Sequence, residues 1–205
     1  LLSRVRGGWG GGAEHLPEEA AISEDDALQA IKIALMINVN YGLYLATLLI
    51  TGLRPHEVRA LNFRNEVIPR VIKLDKQSRT KRAYYAFLTP NLYIELLKRA
   101  GEDGKVVHYR RETEHKTLKE IRQHIPSFRP YSLRALNTAI LIKAGLPQTV
   151  VEFIHGWAPK TVMRSHYLDK QLTLKEMLQD ILEKHNQALK HIDEQIATMI
   201  KVLEK

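Results

Sequence analysis

The 205-residue sequence predicts a mainly α-helical fold with one small β-hairpin or sheet, an α+β arrangement. Three observations carry that expectation. Apolar residues recur at spacings of three and four over most of the chain. Only two short runs, 67–74 and 83–88, are rich in β-formers, and they flank a polar stretch. The composition, 44% hydrophobic and 26% charged, is that of a globular protein.

Taken in order, Leu1 to Gly12 is basic and glycine-rich, and 1–22 reads as a flexible arm or linker. The first residue is Leu1 rather than Met, which fits a piece of a longer protein. Ser23 followed by Glu24, Asp25 and Asp26 predicts a helix start, an N-cap serine with acids in the first turn. Leu28, Ile31, Leu35 and Met36 continue it at helical spacing. Tyr41 to Ile50 is apolar on nearly every side and predicts a buried central helix. Thr51-Gly52-Leu53 breaks it, and Pro55 opens the next helix, Pro55 to Phe63. Val67 to Leu74 and Ala83 to Leu88 predict a hairpin whose long basic tip is Asp75 to Arg82. Helices follow at Pro90 to Ala100, Thr113 to His124, Ser132 to Ala144 and Pro147 to Ile154. From Leu174 a long amphipathic helix runs to the end, so that 172–205 reads as an arm or an oligomer contact beside a central domain, 23–171.

Several classes of function are excluded. The longest apolar run, Leu43 to Leu53, is too short to span a bilayer and is broken by Thr47, Thr51 and Gly52. No secretory signal is visible, so the expected location is cytoplasmic. Absence of cysteine removes disulfide scaffolds, thiolate metal sites and cysteine nucleophiles. The formal charge of +8 is unevenly placed. Residues 54–134 hold 19 Lys and Arg against 9 Asp and Glu, whereas the rest of the chain holds 12 against 14. All of the excess sits in the middle, which fits a footprint for a polyanion and an ordinary solvated basic surface equally well.

Three segments carry candidate chemistry. In Thr51-Gly52-Leu53-Arg54-Pro55-His56-Glu57-Val58, Arg54 stands at the mouth of a helix with Glu57 three residues on, on the same face. A guanidinium so placed can present its planar fork to a phosphate while a carboxylate orients it. In Arg129-Pro130-Tyr131-Ser132-Leu133-Arg134, Tyr131 and Arg134 share a helical face, and Arg134 opens an apolar helix where a charge needs a partner. In Ile154-His155-Gly156-Trp157 and on to His166-Tyr167-Leu168, a tyrosine stands shortly before a polar break. Each alone has an ordinary structural explanation.

Together they resemble the tyrosine recombinase family, which includes phage and archaeal-virus integrases, the Xer proteins and Cre-type recombinases. Two arginines about eighty residues apart, a lysine-bearing hairpin between them and a tyrosine some thirty residues after the second make up the likeness, which covers roughly residues 25–180. The resemblance implies that family's catalytic-domain fold over 23–171, and a site-specific recombinase that breaks and rejoins double-stranded DNA through a 3′-phosphotyrosine without a cofactor or metal. It implies Arg54 and Arg134 as the arginine pair, Glu57 as the support of the first, and Tyr167 as the nucleophile. Lys76, at the end of the first strand, is favoured as general acid over Lys81. Trp157 matches a position that the family fills with histidine or tryptophan; one extra residue between it and Tyr167 keeps His155 as the alternative. The family's commonest second box is His-x-x-Arg; here it is Tyr131-x-x-Arg134, a form found among archaeal integrases. The expected assembly is a homo-tetramer on paired sites, with a monomer for the isolated domain. The competing readings are a type IB topoisomerase and a DNA-binding module without catalysis.

Overall fold

The structure is a computed structural model and describes residues 22–74, 83–157 and 173–204. The arm 1–22 therefore lies outside the described residues except for Ile22, and so do Lys76, Lys81 and Tyr167. Helix α1 (Glu24–Ile37) starts as expected: Ser23 Oγ accepts from the Asp26 amide at 3.0 Å, and the three acids face the positive end of the helix. Helix α2 (Val39–Thr51) is the centre of the core, buried from Tyr41 to Thr51. A helix apolar all round has nowhere else to go, and α1, α6 (Ser132–Lys143) and α8 (Leu174–Leu203) all pack on it.

Helix α3 (Pro55–Arg59) is shorter than the expected Pro55 to Phe63. After Ala60 the backbone pairs elsewhere: the Leu61 carbonyl accepts from the Val106 amide at 3.1 Å, and the Phe63 amide donates to Gly104 at 2.8 Å. Asn62 then caps a 3-10 turn, Phe63–Asn65. The expected long strand 67–74 is two strands, β1 (Glu66–Ile68) and β2 (Val71–Lys73). Pro69 lacks the N–H a continuing ladder needs, and Arg70 turns the chain with a φ of 71°. With β3 (Tyr85–Phe87) they make a three-stranded antiparallel sheet in the order β1-β2-β3. The β2–β3 pairing is the expected hairpin; its tip, 75–82, lies outside the described residues.

Helices α4 (Pro90–Lys98), α5 (Arg111–His124) and α7 (Gln148–His155) complete the body. The C-terminal helix α8, expected as an arm or an oligomer contact, packs along its own chain. Its stripe of Met177, Leu178, Ile181, Leu182, Leu189, Ile192, Ile196 and Ile200 is buried in the core of the same chain. Two polar groups fix its register. Asp193, 3% exposed, caps α4 from across the fold: Oδ1 accepts from Thr89 Oγ1 (2.6 Å) and the Leu92 amide (3.0 Å), and Oδ2 accepts from the amide and side chain of Asn91 (both 3.0 Å). Thr89, the N-cap residue, makes no side-chain cap of its own.

The second is His185, fully buried, whose Nε2 lies 2.9 Å from the Ile50 carbonyl. A carbonyl only accepts, so Nε2 carries the proton. Burial holds the His185 pKa down to about 4, against the hydrogen bond to Ile50. In the unfolded chain a histidine titrates near 6.5. Below about pH 6.5 the unfolded chain therefore takes up a proton that the folded chain refuses until about pH 4. Stability is full above that window and declines as pH falls through it. Urea midpoints measured between pH 7 and 4.5 are expected to fall steadily, and His185→Gln, which keeps an N–H donor, to flatten part of that slope. Among the described residues no helix is long and apolar enough to cross a membrane.

Candidate active site

The site is built on the C-terminal end of α2. The last carbonyls of any helix lack partners within it and must find them elsewhere. Gly52 takes the left-handed conformation (φ 61°), and its amide closes on Leu48 at 3.0 Å. Leu53 is buried, and Arg54 then stands as N-cap of α3, with Pro55 at the first helical position. Glu57, 3% exposed, returns to it: Oε2 accepts from the Arg54 amide at 2.8 Å and Oε1 from Arg54 Nη1 at 3.0 Å. Oε1 also accepts from the Ala83 amide at 3.2 Å. One buried carboxylate thus ties the first arginine to Ala83, two residues before β3.

Arg134 reaches the same point from α6. It is 2% exposed, and Nη1 donates to the Gly52 carbonyl at 2.5 Å while Nη2 donates to the His155 carbonyl at 2.6 Å. Two of its five N–H groups are so used, and Nε has no hydrogen-bond partner among the described residues. Its pKa is pulled down to about 10 by burial first and by Arg54 second, against the opposing effects of Glu57 and Tyr131. It remains charged at neutral pH. Two guanidinium groups that repel each other are held side by side because one of them is bolted to the backbone two residues before the other.

The turn after α7 packs over Arg134. Gly156 ends the helix in the left-handed conformation (φ 68°), and Trp157 follows, half exposed. The Trp157 ring lies over Arg134, 5.3 Å from guanidinium carbon to ring centroid, and stacks on His155 with centroids 4.8 Å apart. Tyr131 is 53% exposed at the start of α6. His155 is fully buried, its pKa held well below the ordinary value by burial, then by Arg134, His185 and Arg54. It is therefore neutral.

Asn137 was not anticipated, and it fixes the histidine's tautomer. Its Nδ2 donates to Leu49 (2.8 Å) and Ile50 (3.0 Å), so its Oδ1 must accept from His155 Nε2 at 2.9 Å. Arg134, Asn137 and His185 between them satisfy the carbonyls of Leu49, Ile50 and Gly52. A lone amide inside the apolar run from Leu133 to Ile142, three residues after an arginine, is the signal that could have revealed it. The structure thus brings together Arg54, Glu57, Arg134, Tyr131, His155 and Trp157, while Lys76, Lys81 and Tyr167 lie outside the described residues.

The packing leaves no room at Gly52. A Cβ built there would stand 2.5 Å from both Asn137 Oδ1 and His155 Cε1, on a backbone that side chains rarely adopt. Gly52→Ala is expected to destabilise by about 2 kcal/mol and to reduce DNA cleavage by displacing Arg134. Thermal melting and a cleavage assay on the same sample check both parts.

A family model described as archaeal phage integrase matches residues 19–184. The chain belongs to that family. No curated protein and no solved structure matches it. The integrase match spans every motif residue singled out in the sequence and runs on into α8. It bears out the resemblance to phage and archaeal-virus integrases, and with family membership come DNA binding and a part in DNA integration.

Proposed function

We propose that this integrase cleaves and rejoins double-stranded DNA by transesterification, with Tyr167 as nucleophile. The observation that carries the reading is the convergence of Arg54 and Arg134 at the C-terminal end of α2, where Arg134 holds the Gly52 carbonyl two residues before Arg54 and feels its charge. In the transition state negative charge builds on two non-bridging phosphate oxygens, and two fixed cationic forks meet that demand. The Tyr167 oxygen attacks phosphorus, its proton passes to solvent or a neighbouring base, and the P–O5′ bond breaks. Lys76, or Lys81, protonates the departing 5′-oxygen. The 3′-phosphotyrosine keeps the bond energy, so a 5′-hydroxyl from a second strand reverses the step without ATP. Glu57 orients Arg54, and Trp157 covers Arg134 in the role that the family gives to histidine or tryptophan. His155, neutral and internal, supports the turn. Five other tyrosines (Tyr41, Tyr44, Tyr85, Tyr93 and Tyr109) hold their protons more tightly than usual because of burial, which makes them poor nucleophiles. The active assembly in this reading is a homo-tetramer on paired sites, acting on DNA in the host cytoplasm.

The test is incubation with duplex DNA carrying a nick that traps the intermediate, then mass mapping of the DNA-linked peptide. The expected adduct is on Tyr167, and it forms equally in EDTA. An adduct on Tyr131, which stands beside the arginine pair, or no adduct at all, would overturn the assignment. With a substrate bearing an activated 5′-leaving group, only loss of the true acid is rescued, so Lys76→Ala recovers and Lys81→Ala does not. A supercoil-relaxation assay beside strand exchange separates the recombinase from a topoisomerase.

A further inference from the structure

A second basic feature lies apart from the arginine pocket. Between the α1–α2 junction, the loop before α5 and the first turn of α5 runs a groove of about 940 Å³, lined by Asn38, Asn40, Lys105, Arg110, Arg111 and His115 among others. Its floor is rigid. Tyr109 packs against Tyr41 and Tyr44 with ring centroids 5.0 and 4.9 Å away. Its hydroxyl accepts from Arg59 Nε at 2.7 Å. Arg59 Nη2 in turn holds both oxygens of Glu114 at 2.9 Å, so the one acidic residue lining the groove is already neutralised.

The remaining cations are not spent in this way. Arg110 and Arg111 are exposed, and neither forms an ion pair with a described residue. Lys105 has only the exposed Asp103, at 3.3 Å, and Asp103 also faces His108 at 3.6 Å. Arg110 and Arg111 are the N-cap and first residue of α5, where the helix dipole is positive and a cation is misplaced for stability. Two arginines at such a point make sense when an anion comes to them. The groove is also tied to the arginine pocket: Arg59, part of its lining, is the last residue of α3, whose N-cap is Arg54. Five residues of helix span about 7.5 Å.

We propose that this groove is a second contact for the DNA backbone, taking phosphates of the duplex a few base pairs from the cleavage point. This rests on the recombinase reading of Arg54 and Arg134. Arg110 and Arg111 supply the charge, Lys105 adds to it, and the amide of Asn38 or Asn40 offers a neutral donor. Phosphate contacts of this kind carry no sequence information and set register on the duplex.

The experiment measures binding of the full chain to a random 30-base-pair duplex across a salt series. Each phosphate contact contributes about 0.9 to the slope of log K against log salt. Arg110→Ala with Arg111→Ala is expected to lower the slope by about 2, while Lys190→Ala with Lys201→Ala, exposed on α8, leaves it unchanged. Melting of the Arg110/Arg111 variant is expected to equal or exceed wild type, since two cations leave a positive helix end. An unchanged slope, or equal loss in the α8 control, overturns the proposal; an unchanged slope would turn the groove over to a protein partner. The Arg110/Arg111 variant should still form the covalent adduct at saturating protein. Absence of any adduct in wild type sinks the recombinase reading instead, and the salt slope is read independently of it.

Discussion

Arg134→Ala is expected to abolish cleavage and to destabilise the fold in the same step, whereas Arg54→Ala abolishes cleavage in a protein that melts closer to wild type. In the proposed mechanism the two arginines serve one phosphate, but they are embedded differently. Arg134 is 2% exposed and holds the carbonyls of Gly52 and His155, so its removal orphans two buried acceptors and opens a cavity. At about 1–3 kcal/mol for each orphaned group, with the cavity added, the loss is about 4 kcal/mol. Arg54 has one side-chain ion pair, to Glu57, which keeps its bonds to two backbone amides when that guanidinium is cut away. Its loss costs about 1–2 kcal/mol. Single-turnover cleavage of the nicked duplex should fall by a factor of about 10²–10³ in either variant, the scale set by removal of one fixed charge-stabilising donor. Arg134→Lys sharpens the test. One ammonium cannot span two carbonyls and a phosphate, so part of the stability returns and cleavage does not. Wild-type melting of Arg134→Ala would show that the carbonyl contacts carry no weight.

Asp193→Ala is the second large effect, at about 4 kcal/mol. It strips four donors (Thr89 Oγ1, the Asn91 amide and side chain, and the Leu92 amide) of their shared acceptor inside the fold. Urea denaturation should show the loss. Hydrogen exchange should locate it at the Asn91 and Leu92 amides and along the middle of α8. Asp193→Asn, which can still accept at one oxygen, is expected to fall between. At temperatures where the variant stays folded, cleavage should persist, because Asp193 touches no residue of the arginine pocket.

Local chemistry made part of this fold readable before any coordinates. Ser23 and its three acids start α1, the all-apolar run makes α2 the core helix, and Arg54 with Glu57 three residues later form the ion pair that the spacing implies. What escaped depended on partners distant in the chain. Nothing near Leu61 tells that its carbonyl meets Val106 and so ends α3 early. The stripe on α8 has the periodicity of any amphipathic helix, and only the positions of Asp193 and His185 within it bind that stripe to its own chain. Asn137 joins residues 49 and 50 to residue 155, and the role of such a side chain is set by elements that sequence order keeps apart.

The grip of Arg134 on two backbone carbonyls has a consequence for genetics. The guanidinium is in place before DNA arrives, so the pocket is only as sound as the two turns that hold it. Loss-of-function alleles should therefore collect at Gly52, Asn137 and Gly156 as densely as at the arginines themselves, although none of these three side chains offers a charge to the substrate. A screen for inactive protein would recover a map of the scaffold and the chemistry superimposed, and only a measurement of folding on each allele would pull the two apart.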